Sequence, residues 1–192
     1  MQGFTTQAVV LKNINYQDTD KIYTFLSRDK GKITGIAKGV RKITSRRSGS
    51  LDSLNLVQVH LNPHQSGQNY ITEVKTVETY KKAKEKLPLS KQGFYIAELI
   101  NKFLREDDEA QGVYDLVIDI LKRIENDGEN LGLEINKFEI KLLVMLGYQP
   151  ENTFMSRWKE AVDRKEFEQA DRLIKGFMHE VLQEDIKSLE LG

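Results

Sequence analysis

The hydrophobic pattern of this chain changes period once, near Tyr80, and that change limits the folds open to it. Before it, apolar residues fall in short runs separated by turn-forming residues. The runs are Thr6 to Leu11, Ile22 to Leu26, Ile33 to Val40, the alternating Val57-Gln58-Val59-His60-Leu61, and Tyr70 to Val77. The breaks between them include Tyr16-Gln17-Asp18-Thr19-Asp20, Arg28-Asp29-Lys30-Gly31 and the polar stretch Asn62 to Asn69. Five short strands punctuated in this way describe a small barrel, and a five-stranded barrel of the OB type is the economical expectation. Gly35 and Gly39 are expected to mark a bulge or sharp coil at a barrel corner.

After Tyr80 the apolar residues recur at three and four. Ile96, Leu99, Ile100, Phe103 and Leu104 form one stripe; Val113, Leu116, Val117, Ile120, Leu121 and Ile124 form another. Both are the signature of amphipathic helices. Leu131 to Leu146 is apolar on most sides, which predicts a buried central helix ended by Gly147 and Pro150. Phe167, Ala170, Leu173, Ile174, Phe177 and Val181 make a last stripe. The segment from Arg157-Trp158 to Phe177 has the look of a single helical repeat. A solenoid needs at least three copies, so an ordinary pair of bundle helices is expected. The run Lys81-Lys82-Ala83-Lys84-Glu85-Lys86 is expected to be a solvated helix or linker. The predicted architecture is therefore α+β and multidomain. An N-terminal OB-fold β-barrel (residues 1–80) is followed by an all-α helical C-terminal domain (residues 81–192).

The 192 residues carry no net charge, but the charge is unevenly placed. Up to Tyr80, eleven Lys and Arg face six Asp and Glu, a surplus of five that the remainder must offset. Such asymmetry suggests two modules with different partners. The positive charge is densest in Gly31 to Ser50, which holds Lys32, Lys38, Arg41, Lys42, Arg46 and Arg47 and no acid. Six cations without counter-charge repel one another unless an anion joins them, so this strand and the basic loop after it point to an anionic partner. Tyr23 and Phe25 fall on one face of the second strand. Facing outward they are stacking platforms for bases; facing inward they are core.

Catalytic patterns are lacking. His60, His64 and His179 have no metal-ligand spacing, and Asp18 and Asp20 read as a solvated turn. The chain contains no phosphate-cradling GxxxxGK[ST], no GxSxG and no HExxH. With no cysteine, it offers no disulfide, thiol nucleophile or thiolate zinc site. No cofactor and no enzymatic activity are expected. No apolar run approaches the ~20 residues that span a bilayer, and the N-terminus lacks a signal-peptide core. A cytoplasmic protein without a membrane partner is expected.

The order of several motifs resembles the RecO family of recombination mediators. They are Thr6-Gln7-Ala8-Val9-Val10-Leu11-Lys12, Tyr16-Gln17-Asp18-Thr19-Asp20-Lys21 and Phe25-Leu26-Ser27-Arg28-Asp29-Lys30-Gly31-Lys32. Ala37-Lys38-Gly39-Val40-Arg41-Lys42, Ser48-Gly49-Ser50-Leu51-Asp52 and, much later, Leu142 to Pro150 continue the likeness. The resemblance is good over the first 80 residues and patchy but collinear afterwards. It implies an OB-fold that binds single- and double-stranded DNA, anneals complementary strands, joins a RecR-like partner and acts in the bacterial nucleoid. It also implies help in loading a recombinase onto strands coated by single-stranded-DNA-binding protein, whose acidic, apolar tail the helical domain receives. DNA contact is assigned on this basis to Lys32, Lys38, Arg41, Lys42, Arg46 and Arg47. The tail would need a cation beside an apolar groove, for which Lys137, Lys141 and Arg157 are candidates. Many family members carry four cysteines after the segment matching Leu142 to Pro150, forming a zinc site. Here Glu151-Asn152-Thr153-Phe154-Met155-Ser156 follows, and Phe154, Met155 and Trp158 are expected to pack instead. Two other readings share parts of these data. One is a protein-interaction adaptor working through the acidic helical half. The other is an RNA-binding barrel.

Overall fold

The computed structural model describes residues 2–42, 45, 47–106, 111–126, 130–148 and 150–182. The period-two runs form β1 (Phe4–Tyr16), β2 (Asp20–Ser27), β3 (Gly31–Ala37), β4 (Leu56–Pro63) and β5 (Asn69–Glu78). They close into a barrel in the order β1-β2-β3-β5-β4. Neighbours are antiparallel except β3 and β5, which meet in parallel at Ile36 and Tyr70. That order, with one parallel closure, is the OB-type barrel expected from the strand count.

Alternation decides what each strand buries. Ala8, Val10, Tyr23, Phe25, Ile33, Val57, Val59, Leu61 and Ile71 fill the barrel. Val9 and Leu11 of β1 and Leu26 of β2 point the other way, into a second core shared with the helices. β1 is thus covered on both faces, which is why its apolar run is nearly continuous. Gly35 is not a bulge: it pairs with Tyr23 in an unbroken β2–β3 register. A β-carbon there would lie 2.6 Å from Leu61 Cδ2 and 3.0 Å from Ile71 Cγ1, so the missing side chain is what lets the barrel close. Gly39 lies past the strand in a turn at φ +66°, where its N–H donates to Asp20 Oδ1 at 2.7 Å. Asp20 is accordingly buried, not solvated as its turn composition suggested. The bulges fall at Leu11, between Val10 and Lys12 in the β1–β2 pairing, and within β4–β5.

The period-3.6 segments form α1 (Lys82–Glu85), α2 (Leu87–Phe103), α3 (Gln111–Glu125), α4 (Leu131–Met145), α5 (Asn152–Asp163) and α6 (Phe167–Leu182). α2 packs on β1 and α3 on β2, while α4 joins α3 to α6 and α5 pairs with α6. The expected solvated linker is instead docked. Ala83 is fully buried, and the Lys82 and Ala83 N–H groups donate to Glu125 Oε2 at 2.8 and 3.3 Å. Lys84 reaches from the same turn to Asn55 Oδ1 at 2.8 Å and Asp52 Oδ2 at 3.2 Å. α4 ends as its sequence predicts: Tyr148 N–H bonds Leu143 O and Gly147 N–H bonds Val144 O, a Schellman closure. Its Phe138, Leu142 and Leu143 are buried, but Val144 and Met145 in the last turn are 52% exposed. Phe154, Met155 and Trp158 pack into the helical core, with the Phe154 and Phe177 rings 5.0 Å apart.

One carboxylate lies at the centre of the helical half. Glu139 of α4 is fully buried and accepts from Tyr95 Oη of α2 and, at 3.1 Å, from Asn136 Nδ2. Asn136 also donates to Asp171 Oδ1 of α6 at 3.1 Å, and Asp171 pairs with Lys175 at 2.6 Å. Burial raises the pKa of the Glu139 carboxyl to about 7, against the pull of the Tyr95 hydrogen bond.

Candidate nucleic-acid interface

The second half of β1 runs past the start of β4 at Leu56. β1 pairs with β4 only from Phe4 to Val9, whereas its pairing with β2 continues to Tyr16 opposite Asp20. There one edge of β1 is left without a strand partner among the described residues, while β2 stays paired with β3 from Lys21 to Ser27. Asn13 and Asn15, two residues apart, share a face, and their cross-strand partners Tyr23 and Lys21 share it with them. The connection from β3 to β4 returns past this face. Val40, Arg41, Lys42, Ser48, Leu51 and Asp52 form the far wall of a cleft of about 470 Å³ whose near wall is that β1–β2 face.

Two arginines hold the connection in place. Arg41 donates its N–H to Thr19 O at 2.9 Å and its Nη1 to Asp18 O at 3.1 Å and Gln17 O at 3.5 Å, which ties it to the β1–β2 turn. Arg47 donates to Lys38 O at 2.7 Å and Ile71 O at 2.9 Å, tying it to β5. Lys38 lies 4.4 Å from the centre of the Tyr70 ring, and His64 meets that ring edge-on at 5.3 Å. The β1–β2 and β4–β5 turns and the β2–β3 face are where barrels of this type meet oligonucleotides; here Arg41 of the β3–β4 connection is tied to the first turn and Lys38 lies over Tyr70 beside the second.

The six predicted cations therefore separate. Lys38, Arg41 and Lys42 are exposed at the barrel end. Arg47 is half-buried with its guanidinium given to backbone carbonyls, so its role is to shape the loop. Arg46 lies outside the described residues. Lys32 is a correction. Its Nζ donates to Asn101 O and Leu104 O, both at 2.6 Å, at the C-terminal end of α2. A cation satisfying helix-end carbonyls is structural, and it faces the helices, not the barrel end. The stacking role of Tyr23 and Phe25 is likewise corrected. They are 2% and 0% exposed inside the barrel, with ring centres 6.1 Å apart, so no base can lie on them. Burial accordingly raises the Tyr23 hydroxyl pKa. Sequence reasoning missed Asn13, Asn15, Lys21 and Tyr70. The period-two spacing of the two amides just past an apolar run was the available signal for the first pair; nothing local marked Tyr70.

The candidate tail residues divide between two places. Lys137 and Lys141 border a groove between α3 and α4 whose apolar lining is Leu116, Ile120 and Phe138, with Arg123 beside them. Glu134 on that rim pairs with Lys137 at 2.8 Å and Arg123 at 3.2 Å, and the Lys137 hydrogen bond holds its carboxyl below the usual range. Arg157 lines a different cleft, between α5 and α6, with Phe154, Arg172 and Phe177.

The fold and its charged end define a class: an OB-type barrel with cationic turns, continued by a helical domain packed on its outer face. Comparison places it more closely. Residues 1–80 match the family model for the N-terminal part of recombination protein O, and residues 92–157 match that for its C-terminal part. The chain belongs to the RecO family. It is 33% identical over 148 residues to a DNA repair protein RecO of Dehalococcoides mccartyi, covering 77% of this chain and 58% of that one. It is 31% identical over 153 residues to a protein of the same name from Thermoanaerobacter, covering 79% and 60%. For the Syntrophomonas wolfei counterpart the figures are 30% over 145 residues, 76% and 57%. The chain thus spans less than two thirds of the length of these relatives. The zinc implied by the resemblance does not fit here. Residues 151–156 offer no thiolate, and among the described residues no three His, Asp or Glu are placed to hold a metal ion. No helix of the described residues is long and apolar enough to cross a membrane.

Proposed function

We propose that this protein is a non-enzymatic DNA-binding mediator of recombinational repair. In this reading it binds single- and double-stranded DNA, anneals complementary strands and helps load a recombinase onto strands coated by single-stranded-DNA-binding protein. A RecR-like protein would be a further partner. The observation that carries the reading is the set of exposed cations Lys38, Arg41 and Lys42. They are held at the barrel end by backbone hydrogen bonds and have no acidic partner among the described residues. Annealing is opposed by phosphate repulsion, and a protein that places cations between two strands lowers it. Membership of a family whose curated members are DNA repair proteins supports the same reading.

The α3–α4 groove is the proposed seat of the acidic, apolar tail. Leu116 offers partly exposed apolar surface and Lys141 an exposed cation; Lys137 and Arg123, now shared with Glu134, would exchange that carboxylate for the tail's, with Asp119 also on the lining. A strand-annealing assay with and without single-stranded-DNA-binding protein tests both parts. The account predicts that replacing Lys38, Arg41 and Lys42 by Ala abolishes annealing of bare and coated strands alike. Lys137→Glu with Lys141→Glu should abolish only the annealing of coated strands. A wild-type protein that neither binds nor anneals DNA would remove the mediator reading.

A further inference from the structure

We propose that the cleft at the barrel end seats one unstacked nucleotide of a single strand, so that the protein holds a strand with a base turned out of its stack. The inference rests on the DNA-binding reading above and adds a specific unit and a specific seat to it. The cleft's volume of about 470 Å³ lies within the ~300–1,000 Å³ typical of sites that enclose a small ligand. The chemistry of its walls divides in two.

On the β1–β2 wall stand Asn13 and Asn15, each with an amide that can both donate and accept. Those are the groups that pair with the edges of bases. Asn13 Oδ1 already accepts from Lys21 Nζ at 2.9 Å, and its amide nitrogen lies 3.5 Å from Ser53 Oγ. Asn15 is exposed and is the freer of the two. On the opposite wall stand Arg41 and Lys42. The Arg41 guanidinium meets the β1–β2 turn carbonyls through its Nη1 edge. A guanidinium fixed by its edge leaves its planar face for a base, a contact that lysine cannot make. Lys42 and Lys21 supply the charge a phosphate needs. Asp52 lies on the same wall and would repel that phosphate. Its carboxylate is tied to Lys84 at 3.2 Å and to the Ser53 N–H at 3.1 Å, so the phosphate is placed toward Lys42 and the base toward the amides. A duplex keeps its bases stacked and paired and shows only their groove edges, so it is a single strand that can turn a whole base into such a cleft.

The test uses a short single strand carrying a fluorescent purine analogue that brightens when it leaves the base stack, with binding followed separately by anisotropy. The full chain should bind the strand and brighten the analogue severalfold; the same analogue paired within a duplex should not brighten. Asn15→Ala, at an exposed position where folding is not at stake, should weaken single-strand binding about three- to tenfold and remove the brightening that remains at saturation. Binding by anisotropy without brightening would overturn the nucleotide seat and leave the DNA reading standing. So would full brightening with the Asn15→Ala protein. Absence of any binding by the wild-type chain would overturn both.

Discussion

Glu139 is held where its charge has no water, and a carboxyl in that position ties stability to pH. It faces Tyr95 from α2, Asn136 from α4 and, through Asn136, the Asp171–Lys175 pair of α6, with Glu98 of α2 also acting on Tyr95. Its pKa rises from the ordinary value of 4.5 to about 7 on folding. Between those values the folded protein keeps a proton that the unfolded chain releases. Its contribution is therefore full below pH 4.5, falls as pH rises and is gone above about pH 7, a change of about 3 kcal/mol at most. Thermal melts across that range should show Tm falling with pH more steeply in the wild type than in Glu139→Gln, and equal slopes would refute the assignment. Gly35→Ala should cost about 1–3 kcal/mol by overpacking against Leu61 and Ile71, measured by denaturant unfolding. Neither residue announced itself in the sequence. Glu139 reads as one charge in a helix, and Gly35 looked like a bulge because its neighbours across the barrel are 26 and 36 positions away.

At the scale of elements, the sequence was most legible where one periodicity governs a whole segment. The five strands and the stripes of α2, α3 and α6 follow from spacing alone, because burial on one face imposes it. Which face a strand residue takes was less legible. Tyr23 and Phe25 alternate correctly, but only barrel closure shows that their side is the inside. Nor could a count of cations show which were already committed. Lys32 satisfies carbonyls 69 and 72 positions further on, and Arg47 bonds a carbonyl 24 positions on, partners that exist only after folding. Lys32→Ala should thus destabilise the protein by about 1–3 kcal/mol while leaving the salt dependence of DNA binding as it was. A reduced salt slope in that variant would return Lys32 to the DNA interface.

At the scale of the whole molecule, barrel and helices share a core. Val9, Leu11, Leu26, Leu54 and Leu56 from the barrel half are buried together with Tyr95, Ile96, Leu99 and Ile100 of α2. The change of period at Tyr80 marks where strands give way to helices, and we propose that it does not mark two independently stable units. A fragment of residues 1–80 would expose those five apolar side chains, each worth roughly 1.5–3 kcal/mol of burial. It should bind a hydrophobic dye and unfold at lower denaturant than the full chain; a fragment as stable as the whole would contradict this. The central claim concerns the charged end of the barrel, and the salt dependence of single-strand binding tests it most directly. With ~4–6 phosphates met by cations, log K against log salt should have a slope of roughly −3 to −4 for the wild type. Removing Lys38, Arg41 and Lys42 together should bring it near −1 to −2, a change of roughly 0.7 for each phosphate no longer neutralised. A slope near zero in the wild type, or one unchanged by the triple substitution, would contradict the account.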